Sequence, residues 1–203
     1  MRKIDYKKEF KEFYTPRAGK IVEVDLPAMS FLMVDGQGDP NTGAQFGPAV
    51  EALYAMSYTL KFMIKKGERQ LDYGVMPLQA LWWADDMAAF TPDDKSAWKW
   101  TAMIMQPDVV TAELMAEATE QVRKKKDPVA LDLVRFEPLT EGKAAQTLHI
   151  GPFENEGPAI EAVHSFIAEN GGRRTGKHHE IYLSDIRKAA PEKWKTVIRQ
   201  PFS

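Results

Sequence analysis

GPAVEAL (residues 47–53) and GPAIEAV (residues 157–163) are the segments that decide the fold, because each is nearly a copy of the other. They lie 110 residues apart, five of their seven positions are identical, and the other two exchange branched apolar residues. In each segment a Pro stands where a helix begins, and apolar residues then recur every three or four positions. This pattern predicts two helices with one apolar face each and, because the segment is repeated, two related structural units.

The flanks of the two helices repeat as well, since two strand-like runs precede each helix and two follow it. In the first half these runs are IVEVDL (21–26), SFLMVDG (30–36), DYGVMPLQALWW (72–83) and WKWTAMIMQP (98–107). In the second half they are LVRFEPL (133–139), AQTLHIG (145–151), HHEIYLSDI (178–186) and WKTVIRQP (194–201). The sequence therefore predicts an α+β fold with duplicated β–β–α–β–β units.

We expect these units to form a single domain over residues 1–203, joined by one connecting helix. The predicted boundaries are about 20–107 for the first unit, about 108–127 for the helix and about 132–202 for the second unit. Asp108 is positioned to cap the helix, and its basic end, Arg123 to Lys126, complements the helix dipole.

Composition narrows the class of protein. The net charge is −2 and the isoelectric point about 6.1, which argues against direct binding to nucleic acid. There are no cysteines, no apolar run resembles a signal peptide or a membrane span, and we expect a cytoplasmic protein with no membrane association.

Four further motifs carry a family resemblance over nearly the whole chain: FLMVDGQGDPN (31–41), PLQALWW (77–83), WKWTAMIMQPD (98–108) and HHEIYLSD (178–185). Together with the GPA helices they resemble the GyrI-like small-molecule-binding proteins, stand-alone relatives of the effector domains of multidrug-sensing regulators. The resemblance implies two units related by a pseudo-twofold axis, with helices on one face of the sheet and a ligand cavity on the other. It also implies binding of bulky aromatic compounds, cationic ones among them, and some stand-alone members are hydrolases that open the cyclopropane ring of cyclopropanoid cytotoxins.

The chain departs from the family pattern at two places. Gln79-Ala80 stands where Glu-Gly is usual, which removes one acidic candidate from the site, and Ile186 stands where Pro is usual. No helix-turn-helix segment precedes the strands, which disfavours a transcription regulator acting alone.

The strongest candidate site residues lie on the strand HHEIYLSD. Alternation along a strand puts Ile181 and Leu183 on one face and Glu180 and Tyr182 on the other. We expect the apolar pair to face the helices and Glu180 and Tyr182 to face the cavity, where the family pattern places an acidic residue and a Tyr. An ionised Glu180 would balance a lipophilic cation, and in an enzyme Glu180 and Tyr182 would be the catalytic pair.

Aromatic residues complete the predicted site. Trp83 shares a strand face with Gln79, and Trp100 lies well inside its strand, so we expect Trp83, Trp100 and Gln79 to contact ligand beside Glu180 and Tyr182. Packing in the core is the alternative for each tryptophan. The acidic segment 84–97 is longer than a hairpin needs and is placed to overhang a site.

The residues leave three functions open: a module that sequesters or senses hydrophobic compounds, a cyclopropanoid hydrolase, and a co-regulator that binds another protein. His178 and His179 point to opposite faces of a strand and do not chelate one ion, so we expect no metal, and no motif indicates a cofactor. The identity of the ligand and the oligomeric state are not encoded in any motif.

Overall fold

The computed structural model describes residues 1–85 and 95–203, so most of the predicted acidic overhang lies outside the described residues. These residues form ten strands: β1 (Arg2–Ile4), β2 (Val22–Leu26), β3 (Met29–Gln37), β4 (Leu71–Tyr73), β5 (Leu78–Trp83), β6 (Lys99–Gln106), β7 (Arg135–Leu139), β8 (Gly142–Ile150), β9 (His178–Tyr182) and β10 (Lys195–Pro201). The five α-helices are α1 (Tyr6–Glu9), α2 (Lys11–Tyr14), α3 (Phe46–Lys66), α4 (Ala112–Lys125) and α5 (Gly157–Glu169). Short 3₁₀ turns cover Leu131–Leu133, Phe153–Asn155 and Pro191–Lys193.

Eight of the strands form one sheet in the order β2-β8-β10-β9-β5-β6-β3-β7, and every neighbouring pair in it is antiparallel. The order is symmetric about the β9–β5 pair, because β5, β6, β3 and β7 on one side correspond in position to β9, β10, β8 and β2 on the other. β1 and β4 form a separate parallel pair. The α+β class with a large antiparallel sheet is therefore as the sequence predicts.

The two GPA helices bury their apolar faces against different parts of the sheet. α3 packs on β3 and β6 through buried residues spaced three or four apart, including Leu53, Met56 and Leu60. α5 packs on β8 and β10 through Val163 and Ile167. The two central strands, β9 and β5, thus lie between the helices.

The connecting helix α4 begins later than the sequence predicted. Thr111, not Asp108, is its N-cap, and the Thr111 hydroxyl accepts a hydrogen bond of 3.3 Å from the backbone N–H of Leu114. The residues before it form a turn closed by the Val110 N–H and the Pro107 carbonyl. α4 packs against α3 and ends in the basic residues that complement its dipole.

The opposite face of the sheet is covered by the N-terminal segment. Phe13 and Tyr14 of α2 are buried there, and backbone carbonyls of this segment accept hydrogen bonds from Gln146 and Arg199 of the sheet. Both faces of the sheet are therefore occupied. Within the described residues, no helix is long and apolar enough to cross a membrane.

Candidate functional site

A cavity of about 1330 Å³ lies in the gap between α3 and α5. Val50 and Tyr54 of α3 and Ile160 of α5 form part of its walls, and Glu180 and Tyr182 of β9 belong to the same lining. The cavity therefore lies on the face of the sheet that carries the helices, and the expectation of a cavity on the other face is wrong in this respect. The physical reason is that the helices stand apart above the central strands, while the N-terminal segment fills the other face.

Aromatic rings line the cavity. Phe46 stacks on Trp82 with ring centroids 5.6 Å apart, and Trp98 meets Trp82 edge-on at 5.7 Å. On the other side, Phe153 meets the Tyr182 ring edge-on at 5.6 Å. These rings provide flat apolar surfaces to which an aromatic ligand can stack.

The strand register decides which tryptophans face this cavity. Ala80 pairs with Glu180 across β5 and β9, so Ala80 and Trp82 share the face of Glu180, and Gln79 and Trp83 lie on the opposite face. Trp83 is only partly buried and lies under the Lys177 ammonium group, 3.2 Å from the ring centroid. Trp83 is thus outside the cavity lining, and its sequence neighbour Trp82 belongs to it.

Trp100 lies on the cavity side of β6 but beneath the cavity surface. Its residue pairs with Trp82 and with Gly36, and its ring occupies the space above Gly36 where a side chain would otherwise stand. Phe46 covers it edge-on at 5.0 Å, and only 1% of Trp100 is exposed. The ring therefore supports the aromatic wall from behind.

Gln79 belongs to a buried polar network on the opposite face. Its amide donates to the Tyr14 hydroxyl at 2.9 Å, and its Oε1 lies 2.9 Å from Nε2 of His179. Nδ1 of His179 lies 2.8 Å from the Glu141 carboxylate, which also accepts a 3.0 Å hydrogen bond from Arg199. Gln79 consequently holds the N-terminal segment to the sheet and does not line the cavity.

Glu180 and Tyr182 are brought together as predicted by their spacing on one strand face. The Tyr182 hydroxyl donates to Oε2 of Glu180 at 2.7 Å, and Trp82 donates its indole N–H to the Tyr182 oxygen at 3.0 Å. Nε2 of His178 lies 3.1 Å from the other Glu180 oxygen. Burial and the Glu180 charge raise the pKa of Tyr182, so Tyr182 stays a neutral phenol.

A second carboxyl group, Glu156, lines the same cavity and was not among the predicted site residues. Glu156 is the residue before the second GPA segment, and its equivalent in the first half is Phe46, which also lines the cavity. The sequence repeat could have pointed to both Phe46 and Glu156. Each of them directly precedes one of the two matched segments and therefore lies at the start of a helix. Trp82, Trp98 and Phe153 carried no comparable signal.

The two carboxyl groups have opposite pKa shifts. Burial, and then the charge of Glu180, raise the pKa of Glu156 to about 9. Burial acts the same way on Glu180, but the hydrogen bond and charge of His178 and the hydrogen bond from Tyr182 outweigh it, and the pKa of Glu180 is lowered. The site therefore holds one ionised and one protonated carboxyl group at neutral pH.

Among residues 1–85 and 95–203, no group of three or more His, Asp or Glu side chains is arranged to hold a metal ion.

Comparisons with known proteins agree with this architecture. Residues 20–202 match the family described as GyrI-like small molecule binding domain. A structure of an uncharacterized conserved protein from Listeria innocua is 44% identical, with a TM-score of 0.91, and the match covers 98% of this chain and all of that one. A structure described as a hydrolase from Listeria innocua is also 44% identical, with a TM-score of 0.85 and the same coverage.

More distant similarity extends only to the fold. The C-terminal domain of EcmrR is 12% identical, with a TM-score of 0.55, and the match covers 91% of this chain and 97% of that one. No curated protein matches the chain.

Proposed function

This chain belongs to the family of GyrI-like small-molecule-binding domains, and from that premise we propose that the cavity between α3 and α5 binds bulky aromatic compounds, cationic ones among them. The observation that carries the proposal is the combination of stacked rings and an ionised carboxylate in one cavity of about 1330 Å³. This volume exceeds the usual range for a drug-sized ligand, roughly 300–1,000 Å³.

The geometry fits a planar cation in particular. Trp82 presents a ring surface to the cavity, and the Lys95 ammonium group lies 5.1 Å from the centroid of the Trp98 ring, so a cation can lie against this wall. Each favourably placed ring contributes roughly 0.5–2 kcal/mol to binding of a cation. Glu180, with only 15% of its side chain exposed, supplies the counter-charge. Its orientation is held by His178 and Tyr182, so little ordering remains to be done when a ligand enters.

Titration with ethidium, a planar aromatic cation, followed by tryptophan fluorescence and by calorimetry, tests this proposal. We expect Glu180→Gln, introduced into Glu156→Gln, to weaken binding by about 1–3 kcal/mol relative to Glu156→Gln, because a partly buried counter-charge is lost and Glu156 cannot ionise in its place. Glu161→Gln is the matched control, since Glu161 is an exposed residue of α5 and its loss should leave the affinity unchanged.

The two neighbouring tryptophans provide a second matched pair. Quenching by ethidium should be reduced in Trp82→Phe, where Trp98 remains, and unchanged in Trp83→Phe, because Trp82 belongs to the cavity lining and Trp83 does not. Equal affinities of Glu156→Gln and of the double variant that also carries Glu180→Gln, or quenching that depends on Trp83, would contradict this site.

Hydrolysis is the second candidate function, and a specific observation favours it. Two structures that match over essentially the full length at 43–44% identity are described as hydrolases from Listeria innocua. We propose cyclopropanoid compounds as substrates, with Glu180 and Tyr182 in the reacting region. In this reaction water attacks a cyclopropane carbon, the C–C bond breaks, and its electron pair moves to the oxygen of a conjugated carbonyl.

Such a reaction needs one group that accepts the water proton and one that supplies a proton to the carbonyl oxygen. Glu180, as the ionised carboxylate, is the proposed base. Tyr182 is the donor that the sequence predicted, although in the folded protein its hydroxyl donates to Glu180. Mass spectrometry of a cyclopropanoid incubated with the protein should reveal a product heavier by one water, with Glu180→Gln and Tyr182→Phe both slower. Wild-type rates in both variants would remove them from the reaction.

A further inference from the structure

Glu156 is one of four residues in the described part of the chain with a buried side-chain polar atom that lacks a hydrogen-bond partner. Its backbone carbonyl is used at the start of α5, accepting from the N–H groups of Ala159 and Ile160. Its side chain lines the cavity and is only 4% exposed, yet Oε1 has no hydrogen-bond partner among the described residues. A buried carboxylate with few donors is costly, and a carboxylic acid in the same place costs less. Near Glu156, a hydrogen bond with Thr196 favours the ionised form, whereas burial and Glu180 favour the protonated form and outweigh it.

Glu180 shows the opposite arrangement. One of its oxygens accepts from the Tyr182 hydroxyl and the other faces Nε2 of His178. The remaining charged group that acts on both carboxyls is Lys95, from the segment before β6. Since His178 and Tyr182 both favour the ionised form of Glu180 and only the Thr196 hydroxyl does so for Glu156, the negative charge belongs on Glu180 and a proton belongs on Glu156. The raised pKa of Glu156 agrees with this distribution.

We propose that Glu156 is the proton donor of the cavity: a carboxylic acid at neutral pH that is paired with the Glu180 carboxylate and gives its proton to an acceptor oxygen of a bound ligand. The ligand class that uses it is an aromatic compound with a carbonyl group. The step to a ligand rests on the proposed function, but the protonation and accessibility of Glu156 do not.

In the proposed hydrolysis, Glu156 and Glu180 together account for every proton that is transferred. The water oxygen bonds to the cyclopropane carbon while the ring C–C bond breaks, and the electron pair reaches the carbonyl oxygen, which takes the proton of Glu156. Glu180 takes the proton from water. Transfer of that proton from Glu180 to Glu156 then restores the starting state. Tyr182 is a positioning residue in this scheme, because its own proton is engaged with Glu180.

Carbon-13 NMR of the full chain, labelled at the glutamate carboxyl carbons and titrated from pH 5 to pH 10, tests the proton. One resonance should titrate near pH 9, should vanish in Glu156→Gln and should persist in the exposed control Glu161→Gln. In Glu180→Gln it should move down by about two pH units or more, since a neighbouring charge is gone. A wild type in which every glutamate titrates below about pH 6 would overturn the proposal.

Labelling with dicyclohexylcarbodiimide tests whether the acid faces the cavity, because this apolar reagent reacts with protonated carboxyl groups in apolar sites. Peptide mapping at pH 7.5 should find modification at Glu156 and none at Glu161. Absence of modification at Glu156 would contradict an accessible acid. Protection by acridone, a neutral aromatic ketone, would support binding in this cavity. Labelling without protection would speak against the proposed ligand class and leave the donor assignment supported.

Discussion

The floor of the cavity is organised by a directed chain of hydrogen bonds between three residues. The Trp82 indole donates to the Tyr182 hydroxyl, which in turn donates to Glu180. Each donor has one proton, so the direction of the chain follows from its first member, the indole, which is only a donor. Glu180 is therefore held as a hydrogen-bond acceptor. Trp82, which begins the chain, also lines the cavity, so a residue placed to contact ligand helps to orient the Glu180 carboxylate.

At the same scale, the protonation of Glu156 predicts how stability depends on pH. Its pKa is about 9 in the folded chain and about 4.5 for an ordinary glutamate, so the folded state holds the extra proton between these values. Stability should therefore fall as pH rises from about 4.5 to 9. Glu156→Gln removes this dependence, and we expect it to raise the free energy of unfolding by about 1–3 kcal/mol at pH 8.

Urea unfolding of the wild type and Glu156→Gln at pH 5 and pH 8 measures this difference. The two proteins should be nearly equal at pH 5, and Glu161→Gln should follow the wild type at both values. Parallel pH profiles for the wild type and Glu156→Gln would show that Glu156 ionises normally in the folded chain.

At the scale of elements, β9 serves both faces of the sheet. His178, Glu180 and Tyr182 project toward the cavity side, while His179 and Ile181 project toward the N-terminal segment. The polar network around His179 ties β9 to α2, so the strand that carries the site is anchored from behind. A substitution that breaks this network, which we call the anchor, is expected to shift β9 and so to disturb the site.

Glu141 is the acidic centre of that anchor and makes it sensitive to acid. Burial alone would raise the pKa of Glu141, but His179 and Arg199 outweigh it and lower the pKa to about 2. Its contribution to stability is therefore present above about pH 4.5 and is lost as pH falls toward 2. Glu141→Gln should cost about 3–5 kcal/mol at pH 7, because the buried Arg199 guanidinium loses its carboxylate partner and keeps only uncharged acceptors.

Thermal unfolding of Glu141→Gln between pH 2.5 and pH 7 tests this expectation. The variant should be much less stable at pH 7 and should converge toward the wild type in acid. The exposed pair of Lys143 and Glu23 provides the control, since Glu23→Gln should change stability by less than about 1 kcal/mol. A uniform loss at every pH would mean that Glu141 acts only through packing.

The sequence predicted the helices and strands well, but it did not predict correctly which face of the sheet carries each candidate side chain. Alternation correctly grouped Glu180 with Tyr182, but it contains no information on which group faces the helices. That choice depends on the gap between α3 and α5 and on the N-terminal segment that covers Gln79 and His179. Of the adjacent residues Trp82 and Trp83, only one lies on the cavity face of β5, and the pairing of β5 with β9 identifies it as Trp82.

At the scale of the whole molecule, each half supplies an edge strand to the other. β2, from the first half, pairs with β8, and β7, from the second half, pairs with β3. The β5–β9 pairing then joins the halves at the centre. The arrangement supports the duplication that the GPA segments predict.

We expect residues 20–107 to superpose on residues 132–202 with Gly47 on Gly157. An experimental structure in which α3 and α5 do not coincide under this operation would contradict the duplication.

Exchange of edge strands also predicts that neither half folds alone. A fragment ending before residue 128 would leave β3 without β7 and β5 without β9, and the remainder would leave β8 without β2. Exposed strand edges of this kind favour unfolding or aggregation over a stable half.

The junction is accessible in the intact protein, where Val129 is 92% exposed, so a protease site can be placed there. After cleavage, the two pieces should co-elute in gel filtration and keep the circular dichroism of the intact chain. They should separate only in denaturant, and each purified piece should lack a cooperative unfolding transition. A half that unfolds cooperatively on its own would show that the exchanged strands are dispensable.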